Sequence, residues 1–438
     1  MSVCTPPRNP DAEPLQLPQL ALVRQRFDRS AIVDPAAATH AELDRVIPSD
    51  LPLQGKRVAI TAGSRGIAAL GEVLAATAAF FKSHGAEPFI FPAMGSHGGA
   101  TAQGQREYLE HLGLTEAHLD APIVSSMEVR QIGETHHGVP VYLDATALAA
   151  DHIVLVNRVK THTKFSGRLE SGLFKMLAVG AAKHLGAATV HRESVRVGLA
   201  EVILSNARLA LKRAPVLAGI ALVENAAGAL HTLCACPPAT MEDKESGLLT
   251  LSKTLMPRLP VQDIDLLVVD EIGKNISGTG MDTKVTGRNR DILSEFDEPD
   301  PTLPRVKRIA IRDLHPDSQG NALGIGFADF TTDRLVAAMD YGKTVTNALT
   351  GISPEKAAVP IHFPTDRAMI DAALGSLGAW QPNTVRLIRI RDTKHLDVVA
   401  VSPALLPDLP GHCEVVHTPQ DMTFDAAGNL TPLELNLS

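Results

Sequence analysis

From Leu51 onward the chain alternates short apolar runs with longer amphipathic ones, separated by glycine-rich polar loops. Residues 57–61 are apolar and β-prone, Ala62-Gly63-Ser64-Arg65-Gly66 is a tight loop, and 67–83 has helical spacing without proline. His84-Gly85 closes that helix, as a glycine past the last turn does. A second strand over 88–92 runs into the loop 93–100, and Thr101 reads as the N-cap of a helix over 102–112. Residues 139–143, after the turn-like His136-His137-Gly138, read as another short strand. A third strand–loop–helix unit begins at 153–156, passes through the polar stretch 160–168 and enters an Ala/Gly/Leu-rich helix reaching His191-Arg192-Glu193. Helical spacing continues from 193 to 213, and 216–224 is a further strand. Such alternation predicts a mainly parallel, layered α/β domain.

The pattern restarts after residues 226–263, where loop and helix mix and Pro257 and Pro260 interrupt the chain. Two α/β domains are therefore expected, 1–260 and 261–438, in keeping with a length of 438 residues. In the second, strands are expected over 265–269, 308–312, 324–327 and 385–390, a helix over 332–347, and a solvated loop over 294–304. The polar, glycine-rich loop 270–282 follows its first strand.

Composition narrows the function. At 45% hydrophobic and 21% charged residues the chain has the balance of a globular enzyme. One Trp, three Tyr and twelve Phe supply few stacking platforms, and a net charge of -8 disfavours nucleic acid and anionic membrane as partners. Residues 1–20 are rich in Pro and polar residues and read as an extended arm without a signal-peptide core. No apolar run is long enough to span a bilayer, and four cysteines fit a reducing compartment, so a cytoplasmic setting is expected. Cys234-Ala-Cys236 reads as small residues in a loop before Pro237-Pro238. A homo-oligomer is left open.

Each strand-end loop of the first domain carries a conspicuous polar group: Arg65, then His97 between Ser96 and Gly98, then His162 among Lys160, Lys164, Ser166 and Gly167. Loops that follow parallel strands share one edge of the sheet, where ligands bind. The glycines let backbone N–H groups approach an anion. Two histidines across a site form an acid/base pair near neutral pH. Lys175, among Leu173, Phe174, Met176 and Leu177, is either a snorkelling lysine or a buried amine suited to covalent chemistry. His184 and His191, two helical turns apart, are metal-ligand candidates or surface histidines.

The loop GSHGG, the strand end VNRVKTHTKFSG, and the lysine and histidine after it resemble the nickel-pincer lactate racemase family over about residues 50–290. The resemblance implies two α/β domains with the site in the cleft between them. It implies a nickel ion held by a pyridinium-3,5-bisthiocarboxylic acid mononucleotide, and racemisation or epimerisation of a small 2-hydroxy acid by hydride transfer to and from that cofactor. By position, His97 and His162 match the acid/base pair, Lys175 the tethering lysine and His191 the nickel ligand. Arg65 matches an arginine at the cofactor or substrate end. Ser96, Gly98, Ser166 and Gly167 fall in the cofactor loops, Lys274 in a lysine-bearing loop near the substrate carboxylate or oxyanion, and Arg288 is a further carboxylate candidate. Ala62 stands where the family has an aspartate, and the segment 168–174 separates Phe165-Ser166-Gly167 from Lys175. Lys164 therefore competes with Lys175, and His184 with His191. Asp270, Glu271, Asn275 and Asp282 hint at a polyhydroxylated or dicarboxylic substrate.

Two other readings stand beside this one. A nucleotide- or sugar-phosphate-binding protein would use the glycine loops without redox chemistry. A zinc hydrolase or lyase ranks last, for want of H-E-x-x-H or a close histidine pair with a carboxylate in sequence.

Overall fold

The computed structural model describes residues 15–64 and 66–433; Arg65, Cys4 and most of the N-terminal arm lie outside the described residues. The chain divides into two compact units. One comprises residues 28–256 together with 293–299, the other 1–27, 257–292 and 300–438. Both are α/β with mostly parallel sheets. Against a single boundary at 260, the residues up to 27 belong with the C-terminal unit and 293–299 with the other. The first strand, β1 (Leu20–Gln25), alternates half-buried and buried positions and belongs to the sheet of the C-terminal unit.

In the unit around residues 28–256, β2 (Arg57–Ala62) and β3 (Glu87–Pro92) pair in parallel. The next two strands, β4 (Val129–Glu134) and β5 (Pro140–Asp144), form a separate antiparallel hairpin. β6 (His152–Arg158) and β7 (Val216–Glu224) return to the main sheet, and β8 (Leu230–Cys236) closes it antiparallel to β7. The order is β3-β2-β6-β7-β8, so β2, β3 and β6 are neighbours. Strand residues alternate between two cores. Ala59, Phe89, Phe91, Ile153 and Leu155 pack on one face, and Val58, Ile60, Ile90, Val154 and Val156 on the other. Both faces are covered, which is why the strands read as continuous apolar runs.

Several sequence expectations shift here. The strand expected over 139–143 exists, but it pairs only with β4, whose polar sequence hid it. The helix expected to continue through 193–213 breaks at Gly198, whose φ of +89° separates Lys183–Val197 from Leu199–Arg213. Cys234 and Cys236 lie in β8, not in a loop. Burial pushes the Cys236 thiol up to about 12, so it is an inert core residue. In the segment expected as a solvated loop, Asp297 accepts the backbone N–H of Ser166 at 2.8 Å.

The C-terminal unit is built on β9 (Asp263–Ile272), β10 (Arg305–Leu314), β11 (Phe330–Thr332), β12 (Ile361–Phe363), β13 (Leu387–Ile390), β14 (Val398–Val401) and β15 (Cys413–Gln420). Its order is β12-β11-β10-β9-β13-β14-β1-β15, parallel from β12 to β13 and antiparallel beyond. Ile325–Phe327 form a 3₁₀ turn, not a strand, entered through Gly324 with a φ of +99°. The helix expected over 332–347 is two, Asp333–Ala338 and Tyr341–Thr350, with Asp340 capping the second.

Candidate functional site

The loops after β2, β3 and β6 leave the same edge of adjacent parallel strands, and the first two touch directly. Ser64, in the first loop, shares a hydrogen bond with Nδ1 of His97 in the second. The Ser64 hydroxyl is buried while His97 is exposed, so the bond fixes one ring nitrogen and orients the other. A Cβ at Gly63 would stand 3.2 Å from Cε of Met176 and 3.9 Å from Oδ1 of Asn157, which puts the first loop against β6 and the helix that follows.

That helix has an unusual form. Leu173–Lys175 is α-helical, and Met176–Gly180 widens into a π-helical turn. Such turns recur at functional sites because they shift side-chain register. The chain then bends at Lys183, a non-glycine residue with φ of +54°, and continues as the helix Lys183–Val197. Within the buried run 173–182 only Lys175 and Val179 are half-buried; four residues apart, they share one face. A Cβ at Gly95 would stand 3.4 Å from the carbonyl oxygen of Val179 and 3.3 Å from Cβ of Ala187. Gly95 N–H also donates to the carbonyl of Gly180 at 3.1 Å. Lys175 lies one turn before Val179, and half-buried His191 one turn after Ala187. Val179 and Ala187, not Lys175 and His191 themselves, make the contacts with the base of the His97 loop. His184 is exposed.

His162 is held differently. Its backbone N–H donates to Glu170 at 2.7 Å, and Lys164 N–H donates to its Nδ1 at 3.1 Å. Its ring stacks on buried Phe165 at 4.6 Å between centroids. Glu170 is only 2% exposed and is neutralised by Lys253 at 3.1 Å. The 168–174 segment therefore contributes a carboxylate that shapes the His162 loop. Lys164 is half-buried beside it, and Ser166 and Gly167 are buried, Ser166 tied to Asp297.

Sequence reasoning missed three buried polar groups behind these loops. Lys183 is fully buried. It donates to the carbonyl of Pro92 and, at 3.2 Å, to Oε1 of Gln105, and its ammonium lies 3.2 Å from buried Asp144, outside hydrogen-bond alignment. Desolvation lowers its pKa from the usual lysine value, with Asp144 opposing. The amide of Gln105 in turn donates to the carbonyls of Gly95 at 2.8 Å and His97 at 3.3 Å. Glu245 accepts the N–H of Phe174 at 3.0 Å, at the start of the Lys175 helix. Burial raises its carboxyl to about 7. A signal existed for two of them. Gln105 and Glu245 occupy the apolar stripes of their helices, with Leu109 and with Met241 and Leu249.

In the C-terminal unit, half-buried Lys274 donates to the carbonyl of Gly278 at 2.8 Å within its own loop. Arg288, expected on a carboxylate ligand, has a different employment. Its guanidinium pairs with Asp329 and donates to the carbonyls of Val306 and Lys307, each at 2.9 Å. Asp270, part of the polar-loop hint, is likewise consumed inside the unit, bidentate with buried Arg389 at 2.9 Å for each bond.

The architecture is that of an α/β protein with a polar site at the carboxyl edge of a parallel sheet. Among solved structures, the chain is similar to a lactate racemase apoprotein from Thermoanaerobacterium thermosaccharolyticum, at 14% identity over 85% of each chain, with a TM-score of 0.48. It is also similar to a protein from Thermotoga maritima, at 13% identity over 77% of this chain and 83% of that one, with a TM-score of 0.45. No family model and no curated protein sequence matches. Among the described residues no helix is long and apolar enough to cross a membrane.

Proposed function

We propose that the chain is an isomerase that racemises or epimerises a 2-hydroxy acid with a nickel-pincer nucleotide. The donor set suits that group. An imidazole is a good nickel ligand, and a half-buried lysine, here at the junction of the α-helical and π-helical turns, suits a covalent tether. Lys175 would hold the nucleotide and His191 the nickel, with Ser96, Gly98, Ser166, Gly167 and Arg65 in the surrounding loops. When bound, the group supplies a reversible hydride acceptor.

The chain's own work is proton transfer. For one enantiomer His97 takes the proton of the substrate hydroxyl; for the other His162 does. In each direction the second imidazole starts protonated: one histidine takes the hydroxyl proton of the incoming enantiomer, the other gives its proton to the carbonyl oxygen as the opposite enantiomer forms, and exchange with solvent resets the pair. Ser64 shares a hydrogen bond with Nδ1 of His97 and Lys164 N–H donates to Nδ1 of His162, which fixes the two rings; proton transfer would run through the opposite ring nitrogens. The observation that supports the reading is the packing of Gly95, in the His97 loop, against Val179 and Ala187, which lie one helical turn from Lys175 and from His191.

The phosphate-binding reading draws less support. At the first helix start, Ala68 N–H is already taken by the Glu224 carboxylate at 2.8 Å. At the second, Gly104 N–H is capped by Thr101 at 3.0 Å. An incoming phosphate would meet an anion at one and a filled cap at the other.

The test is intact mass and metal content of protein from a host able to make the pincer, with racemisation of a 2-hydroxy acid panel followed by optical rotation. The expected result is an adduct lost in Lys175→Ala and kept in Lys164→Ala. His97→Asn and His162→Asn should keep the adduct and lose roughly 10²–10⁴-fold in rate, the usual scale for acid/base groups. Unmodified, nickel-free protein from that host would overturn the proposal.

A further inference from the structure

We propose a second metal site, unrelated to the nickel candidates: His136, His137 and Glu201 bind a first-row transition-metal dication, with Zn²⁺ as the natural occupant. The two histidines are the central residues of the turn joining β4 and β5. That turn is closed by Gly138 N–H to the carbonyl of Thr135 at 2.9 Å and by Thr135 N–H to the carbonyl of Val139 at 2.9 Å. Gly138, with φ of +72°, lets the chain reverse directly after the pair. The imidazole rings come to lie 3.8 Å apart between centroids, inclined at 41°.

The third donor comes from the first turn of the helix Leu199–Arg213. Glu201 Oε1 lies 3.2 Å from Nε2 of His137 and 3.9 Å from Nε2 of His136, and one donor atom from each residue falls within 4.8 Å of the others. Zinc bonds of about 2.0–2.1 Å at tetrahedral angles set neighbouring donors roughly 3.3 Å apart. Closing the donors from within 4.8 Å to that spacing takes side-chain rotation of exposed His136 and half-buried His137 and Glu201.

The backbone under the donors is fixed. Gly133 of β4 lies against Leu209 of the Glu201 helix, where a Cβ would meet Cδ2 at 3.2 Å. Arg196 Nη2 donates to the carbonyl of His137 at 2.9 Å and pairs with Glu193 at 3.1 Å. The hairpin tip is thereby pinned to the helices that carry Glu193 and Glu201.

Two neutral imidazoles and one carboxylate favour zinc, nickel, cobalt or copper over magnesium or calcium, which prefer all-oxygen shells. Three protein ligands leave at least one coordination position to water.

The full-length chain, stripped with chelator and made without the pincer supply, is titrated with ZnCl₂ by calorimetry. The parent should bind one more equivalent than His136→Ala/His137→Ala, and His191→Ala should retain that equivalent. Glu201→Gln should weaken it about tenfold or more, the scale of loss seen even for outer-shell partners. MgCl₂ should give no heat at this site. Because the histidines sit on an exposed turn, the double variant should keep the parent's thermal transition, and cobalt absorption bands lost in it would report the same site. Equal zinc stoichiometry and equal cobalt spectra in parent and double variant would overturn the proposal.

Discussion

Lys183→Met should cost the protein about 3–5 kcal/mol, the range for removing one partner of a buried ion pair. The structure explains the size. Asp144 is fully buried, with one oxygen accepting Ala147 N–H at 2.8 Å and the other 3.2 Å from the Lys183 ammonium. Methionine matches the lysine stem in length, so little cavity forms, and the loss isolates the stranded carboxylate and the orphaned acceptors of Pro92 and Gln105. For a unit of this size each kcal/mol lowers the midpoint by about 2–4 °C, so the transition should fall by roughly 6–20 °C. The assay is differential scanning calorimetry of the full chain at pH 7, with Asp144→Asn added to the Lys183→Met background. Neutralising the stranded acid should return a large part of the loss. A single variant within about 1 kcal/mol of the parent would refute the reasoning, because the pair would then be contributing nothing beyond its own desolvation. So would a double variant showing the two costs simply added.

The remaining predictions concern neighbouring groups. Glu245 has its carboxyl raised from 4.5 to about 7, so the folded state holds its proton more tightly than the unfolded chain. Its contribution is complete below pH 4.5 and is lost as the pH rises through 7, on the order of 3 kcal/mol in all. Urea midpoints across that window should show the decline, and Glu245→Gln should flatten it; an unchanged slope would count against the assignment. Gly180→Ala would put a Cβ 2.5 Å from the backbone oxygen of Ala93, so a loss of about 1–3 kcal/mol is expected in denaturant titration. Gly98→Ala must hold a φ of +64° with its Cβ 2.6 Å from Gln105 N. It should speed amide exchange across residues 95–105, and unchanged exchange would show that the His97 loop does not depend on that glycine.

Strand identity was legible in β2, β3, β6, β7 and β9, whose buried faces read as apolar runs with polar loops behind them, while the short buried strands β11 and β14 were not recognised. The parallel order that puts the Ser64, His97 and His162 loops on one edge followed from the alternation of strand and helix. The sequence therefore determined the fold class and the residue types at the sheet edge.

Elements whose register depends on partners far along the chain were not legible. β1 is six residues that could join either sheet by pattern alone, and its partners in β14 and β15 lie far along the chain, as in Ala21 with Val401 and Leu20 with Gln420. The bends at Lys183 and Gly198 are backbone choices that helical spacing cannot report. His136 and His137 form no local ligand motif; their carboxylate, Glu201, arrives from 64 residues away because the β4–β5 hairpin packs along its helix. Arg288 looked available in sequence and is consumed by Asp329 and nearby carbonyls. Local pattern specifies which residues a segment must bury, but which charge meets which is decided only when distant segments pack and each buried polar group has to find a partner.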